Sequence, residues 1–161
     1  MTVLTSGAAP RVFAWTGLAL VLAGITAALV ALVSWWPCVE GRAQQCLDLQ
    51  YVANPTLDPV VHLWFVALPV TLVMFLVGIW ASTRQALRWA GILAVLAVAV
   101  LNILTDYVLT VGGSADSGPG FGIPMSVGVA LAGVALLVGG LRARSEWRRE
   151  TRALPAAEGT A

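Results

Sequence analysis

This sequence predicts an all-α fold: a polytopic membrane protein built as an antiparallel four-helix transmembrane bundle with both termini cytoplasmic. Three observations predict it. Four long apolar runs divide the chain, arginines cluster on alternate connections, and 59% of the 161 residues are hydrophobic against 11% charged. The mean hydropathy of +0.87 is far above that of an ordinary water-soluble domain.

The runs fall at about 12–34, 60–81, 86–109 and 123–141. Each is long enough to cross a hydrocarbon core of about 30 Å at about 1.5 Å per residue. The first run exceeds the apolar region of a signal peptide, and Arg11 is the only charge before it, so it is expected to stay as a span. One four-span domain, 1–152, then takes up nearly the whole chain. Residues 153–161, with Pro155 and Gly159, are expected to form a disordered tail. The longest connection, Trp36 to Pro59, is too short to fold as a domain of its own.

Charge placement sets the expected orientation. All nine basic residues are arginines, and eight of them fall on one set of connections: Arg11 precedes the first run, Arg84 and Arg88 lie between the second and third, and Arg142, Arg144, Arg148, Arg149 and Arg152 follow the fourth. Basic residues in short connections stay on the cytoplasmic side. The opposite connections carry Glu40, Arg42, Asp48, Asp58 and Asp116, an acidic balance. Aromatic residues prefer the headgroup level. Trp15, Trp80 and Trp89 are expected near the inner ends of the spans, and Trp35, Trp36, Tyr51, Trp64 and Tyr107 near the outer ends.

The connections constrain the packing. About five residues, Ser82 to Ala86, join the second and third runs, which must therefore be antiparallel neighbours. Asp58 with Pro59 reads as a helix start, since Asp accepts from orphaned amides and Pro has none to orphan. Gly122, Ile123 and Pro124 start the fourth helix similarly, after a glycine-rich turn over Gly112 to Gly120 that lacks the lysine and preceding strand of a phosphate loop. Pro69 is expected to bend the second span. Lipid does not drive helices together, so close contacts are expected where small residues recur four apart: Gly24 with Ala28, Ala90 with Ala94, and Gly128 with Ala132.

Cys38 and Cys46, with seven residues between them in the first outward connection, are expected to form a structural disulfide in an oxidising compartment. A redox-active pair is the alternative, but active dithiols favour Cys-x-x-Cys. Four-span thiol oxidoreductases that feed quinones share the size and topology, yet their Cys-x-x-Cys pair and second pair are both missing, and no residue carries over. Trp35, Cys38 and Cys46 resemble the Trp-x-x-Cys and following Cys in the first loop of claudin-like tetraspans. Zinc is not expected, because Cys38, Cys46 and His62 match no usual ligand spacing, and a lone histidine cannot ligate a haem from both sides.

Polar residues at membrane depth are the remaining functional pointers. His62, Asn102 and Asp106 fall near the outer ends of the second and third runs. Asn102 and Asp106, four apart, share a helix face, so the three make a possible outward polar cluster. The simpler alternative keeps His62 and Asp106 hydrated at the interface and Asn102 bonded to a neighbouring helix. The five arginines after the fourth run are expected to be topogenic, with the capacity to hold anionic lipid headgroups.

No catalytic motif, metal site or cofactor site is expected, and nucleic-acid binding fits neither the charge nor the hydropathy. The expected function is that of a non-catalytic accessory or structural subunit of a larger membrane complex. The alternatives are a small oligomeric transporter or channel using the polar cluster, and a membrane thiol-disulfide oxidoreductase. Expected partners are the lipid bilayer and either other integral membrane subunits or further copies of the chain. The absence of lysine and the Ala- and Val-rich composition suit a high-GC bacterium, hence a bacterial plasma membrane.

Overall fold

The first apolar run folds as α1, Ala8–Ser34, whose buried positions are Pro10, Phe13, Gly17, Leu20, Gly24, Ala27 and Ala31. Their spacing alternates between three and four residues. A seven-residue repeat of this kind keeps one seam against a partner helix by a slight left-handed winding. In the computed structural model, residues 8–42, 44–45, 58–81, 84–111, 120 and 122–158 are described, with their side chains except at 58, 61, 81, 102–111 and 152–158. All regular structure among the described residues is helical. After α1 come a single turn, α2, Trp36–Val39; then α3, Asp58–Leu76, which passes into a π-helical turn at Val77–Ala81; then α4, Gln85–Val111, and α5, Ile123–Glu158.

The partner of the α1 seam is α5. Ser126, Val129, Gly133, Leu136, Gly140 and Ala143 are buried along it at the same three-and-four spacing. The glycines let backbone meet backbone. A Cβ added at Gly24 would lie 2.5 Å from the Ala130 nitrogen, one at Gly133 would lie 2.5 Å from the Val21 nitrogen, and one at Gly140 would lie 2.7 Å from the Ala14 nitrogen. Residue numbers fall on α5 as they rise on α1, so the two helices run antiparallel. In an apolar solvent this association rests on dispersion contacts that only small side chains allow.

α5 buries a second stripe against α4. Gly128 sits against the Ala97 carbonyl and the Leu101 side chain, and Gly139 against Ala90. This pair is also antiparallel, as are α3 and α4: Gly78 packs on the Leu87 carbonyl, Gly91 on the Phe75 backbone, and the Trp64 indole reaches the Val98 carbonyl at 3.5 Å. Of the residue pairs read as small-residue contacts, Gly24, Ala90, Ala94, Gly128 and Ala132 are buried, while Ala28 is half-buried beside an apolar groove.

By length and apolarity three helical stretches among the described side chains suit a membrane crossing, Ala8–Ser34, His62–Trp80 and Ile123–Thr151; in α4 the described side chains end at Leu101, and Gln85–Leu101 is an apolar helix up to that point. This is the make-up of an integral membrane protein. Helix α3 continues through Pro69, and its departure from α-helical pairing comes at Val77–Ala81 instead, where Gly78 lies against α4. α5 extends to Glu158, past Ala153, where the sequence suggested that a tail begins. Ala153, Leu154, Ala156 and Ala157 are good helix formers, which favours that extension despite Pro155. Gly112 to Pro119 lie outside the described residues.

Two tryptophans expected at the headgroup level are turned inward. Trp35 is 2% exposed and closes a cluster with Ala27, Ala31 and Val60, while Trp64 is half-buried and stacks edge-on against Phe65 with centroids 5.3 Å apart. Trp15, Trp80 and Trp89 stand out from the helices, at 70%, 83% and 55% exposure. A ring that fills a gap between helices gains more dispersion contact than one at the rim, and alternation along the chain does not reveal which applies.

Candidate functional site

The helix pairings gather the ionisable groups at the two ends of the molecule. One end holds the N-terminal turn of α1, the π turn, the start of α4 and the exit of α5, and with them Arg11, Arg84, Arg88, Arg142 and Arg144. The other end holds α2 and the starts of α3 and α5.

At the second end, Pro37 lies in the first turn of α2, where its missing amide costs nothing, and Gly41 turns the chain back with φ +72°. The turn brings three polar side chains together. The Trp36 indole N–H donates to Glu40 Oε1 at 2.6 Å, the Arg42 guanidinium pairs with the other carboxylate oxygen of Glu40, and Arg42 also donates to Gln45 Oε1 at 3.0 Å. These contacts, the indole's first and the guanidinium's second, hold the Glu40 carboxyl below the usual glutamate range. Cys38 is half-buried and packs against the Trp35, Ala31 and Val60 cluster. Its expected disulfide partner, Cys46, lies outside the described residues.

At the arginine-rich end, Arg84 reaches from the connection before α4 to α5. Its guanidinium donates to the Ala143 carbonyl at 3.1 Å and to Glu150 at 2.9 Å, with Glu146 at 3.8 Å. The Arg84 side chain is 20% exposed, whereas Glu146 and Glu150 are 52% and 66% exposed. This contact joins residues 66 apart in sequence, and sequence reasoning missed it. The available signal was the presence of two glutamates, four apart, among the arginines after the fourth run.

Among the expected tail arginines, Arg142, Arg148 and Arg149 are exposed on α5 and Arg144 is half-exposed; the side chain of Arg152 lies outside the described ones. His62 is exposed on α3. The Trp64 contact with Val98 puts it at the level where α4 approaches Asn102. Asn102 and Asp106 belong to α4, but their side chains lie outside those described.

Inside the protein, the buried polar side chains among the described residues are Thr71 and Ser126, and each satisfies itself locally. Thr71 Oγ1 donates to the Leu68 carbonyl at 2.9 Å and Ser126 Oγ to the Gly122 carbonyl at 2.7 Å. A hydroxyl bonded to its own preceding turn is a common way to make a polar group tolerable in an apolar setting. No group of three metal-ligating side chains occurs among the described residues. Compared with protein-family models, with curated proteins and with solved structures, the chain matches none of them.

Proposed function

We propose that the chain is a four-span integral membrane protein with both ends in the cytoplasm and an outer loop tied by a Cys38–Cys46 disulfide, acting as a non-catalytic accessory or structural subunit of a larger membrane assembly. The observation that carries this reading is the character of the interior. Between α1, α4 and α5 glycines and alanines meet at backbone contact distance and Phe13, Leu87, Val129 and Leu136 fill the rest, while the buried hydroxyls among the described residues, Thr71 and Ser126, are bonded to their own preceding turns. Among the described residues this interior shows no polar path, which weighs against the transporter reading. The arginines gathered at one end support a cytoplasmic placement for the N-terminal turn of α1 and the exit of α5.

The test is mild-detergent extraction from native membranes through a C-terminal affinity tag. A second integral membrane protein at fixed stoichiometry is the expected outcome. A monodisperse monomer without partners overturns the subunit reading. Alkaline carbonate release of the chain overturns the membrane-spanning reading beneath it.

A further inference from the structure

Between α4 and α5, at the arginine-rich end, runs a groove of about 370 Å³. Its floor is low because Ala90 and Gly139 face each other, and its walls are the larger Trp89, Leu93 and Val138, exposed by 55%, 53% and 41%. From Val134 at the deep end to Arg142 at the mouth, the groove follows two turns of α5, about 12 Å. All its lining is apolar except at the mouth, where Arg142 stands.

Arg142 differs from the arginine across the same helix end. Arg84 is neutralised by Glu146 and Glu150, so the two nearby carboxylates are already engaged, and among the described residues no carboxylate pairs with Arg142. An unpaired guanidinium at the end of an apolar slot, beside a tryptophan at the same level, matches one ligand in charge and in polarity. We infer that this groove binds an anionic glycerophospholipid, with an acyl chain lying between Trp89, Leu93 and Val138 and its phosphate on Arg142. The inference rests on the membrane-spanning reading proposed above. A second apolar groove, of about 340 Å³ between α1 and α5 and lined by Gly24, Ala28 and Ile123 among others, has no charged side chain in its lining and nothing to distinguish an occupant from bulk lipid.

Anionic and zwitterionic glycerophospholipids both carry a phosphodiester, so the selectivity lies in the net charge of the headgroup. A guanidinium forms charge-assisted hydrogen bonds to a phosphodiester, and basic pockets between helices at the cytoplasmic rim prefer anionic headgroups. A zwitterionic lipid with the same chains fills the slot equally well but brings a cationic group to the same arginine end.

Native mass spectrometry of the detergent-solubilised full chain tests this with dioleoyl phosphatidylglycerol and dioleoyl phosphatidylcholine. Wild type is expected to retain phosphatidylglycerol more tightly. Arg142→Gln is expected to weaken that binding about fivefold, the worth of one arginine near an anionic surface, and to weaken phosphatidylcholine less. Val138→Phe, which fills the slot, weakens both lipids, and Arg148→Gln, outside the groove, alters neither by more than about twofold. Equal losses from Arg142→Gln and Arg148→Gln mean diffuse charge attraction and overturn the site, as does the absence of a phosphatidylglycerol preference in a chain that carbonate washing leaves in the membrane. Displacement of the lipid by millimolar inorganic phosphate, with Val138→Phe unaffected, overturns the acyl-chain slot. Release by carbonate overturns the membrane reading as well.

Discussion

Gly24 and Ala130 meet backbone to backbone, so closely that a Cβ on the glycine would lie 2.5 Å from the Ala130 nitrogen. Neither atom belongs to a flexible side chain that might turn away. Gly24→Leu therefore has to push α1 off α5 over several turns. Overpacking a well-filled interior costs about 1–3 kcal/mol, and a backbone-limited contact belongs at the upper end. Thermal unfolding in detergent is expected to show a marked loss of stability for Gly24→Leu. Leu29→Ala, on the 57% exposed side of the same helix, should change it little.

Arg84 fastens the helix beyond α5's apolar part to the short connection between α3 and α4. Its two carboxylate partners are more than half exposed, so the ion-pair part is screened and worth about 0.2–1 kcal/mol. The bond to the Ala143 carbonyl is more sheltered and adds about 1 kcal/mol. A double-mutant cycle between Arg84→Gln and Glu150→Gln is expected to give a coupling energy within the ion-pair range that shrinks with added salt. Arg84→Gln alone should also speed amide exchange around Ala143. Unchanged exchange there would mean that α5 holds its course without the clamp.

The helices themselves were legible in the sequence because burial in an apolar solvent leaves a plain mark: long runs without charge, bounded by Asp58–Pro59, by Arg84 and by Gly122. The pairing surfaces were only partly legible. Searching for small residues four apart found Gly24, Ala90 and Gly128, but the α1–α5 seam repeats every seven residues, through Pro10, Gly17, Gly24 and Ala31 on one side and Ser126, Gly133 and Gly140 on the other. A contact that keeps one seam over several turns calls for the longer period. The inward turn of Trp35 and the Arg84 clamp depend on which helix lies across from which, and no periodicity within one segment carries that. The polar cluster of His62, Asn102 and Asp106 was readable only to the level of shared depth on adjacent helices.

Glu40 gives the α2 turn a pH response of definite sign. Its carboxyl is held low by the Trp36 indole first and by Arg42 second, so the folded turn binds its proton more weakly than the unfolded chain does. The stabilisation is therefore complete above the ordinary glutamate range and is lost as pH falls through the lowered value. Glu40 lies at the surface, so the effect is local to the turn. An acid titration of Trp36 emission, in a variant with the other tryptophans replaced by Phe, is expected to show a midpoint below that of a free glutamate. Trp36→Phe should raise the Glu40 midpoint, read by carboxyl NMR, further than Arg42→Gln does. The reverse order would make the guanidinium the principal partner.

The proposed Cys38–Cys46 disulfide closes a short loop onto a fixed base, since Cys38 already packs on Trp35, Ala31 and Val60. On the chain-entropy model a loop of this size constrains the unfolded chain by about 2.5 kcal/mol. Cys38→Ser and Cys46→Ser are each expected to lower stability by about that amount, and the double variant by no more than either single one, because both remove the same cross-link. Mass spectrometry of the purified chain after alkylation without reductant is expected to find no labelled cysteine, and two after reduction. Two labels before reduction would leave the loop open and place the α2 turn under the control of Pro37, Glu40 and Arg42 alone.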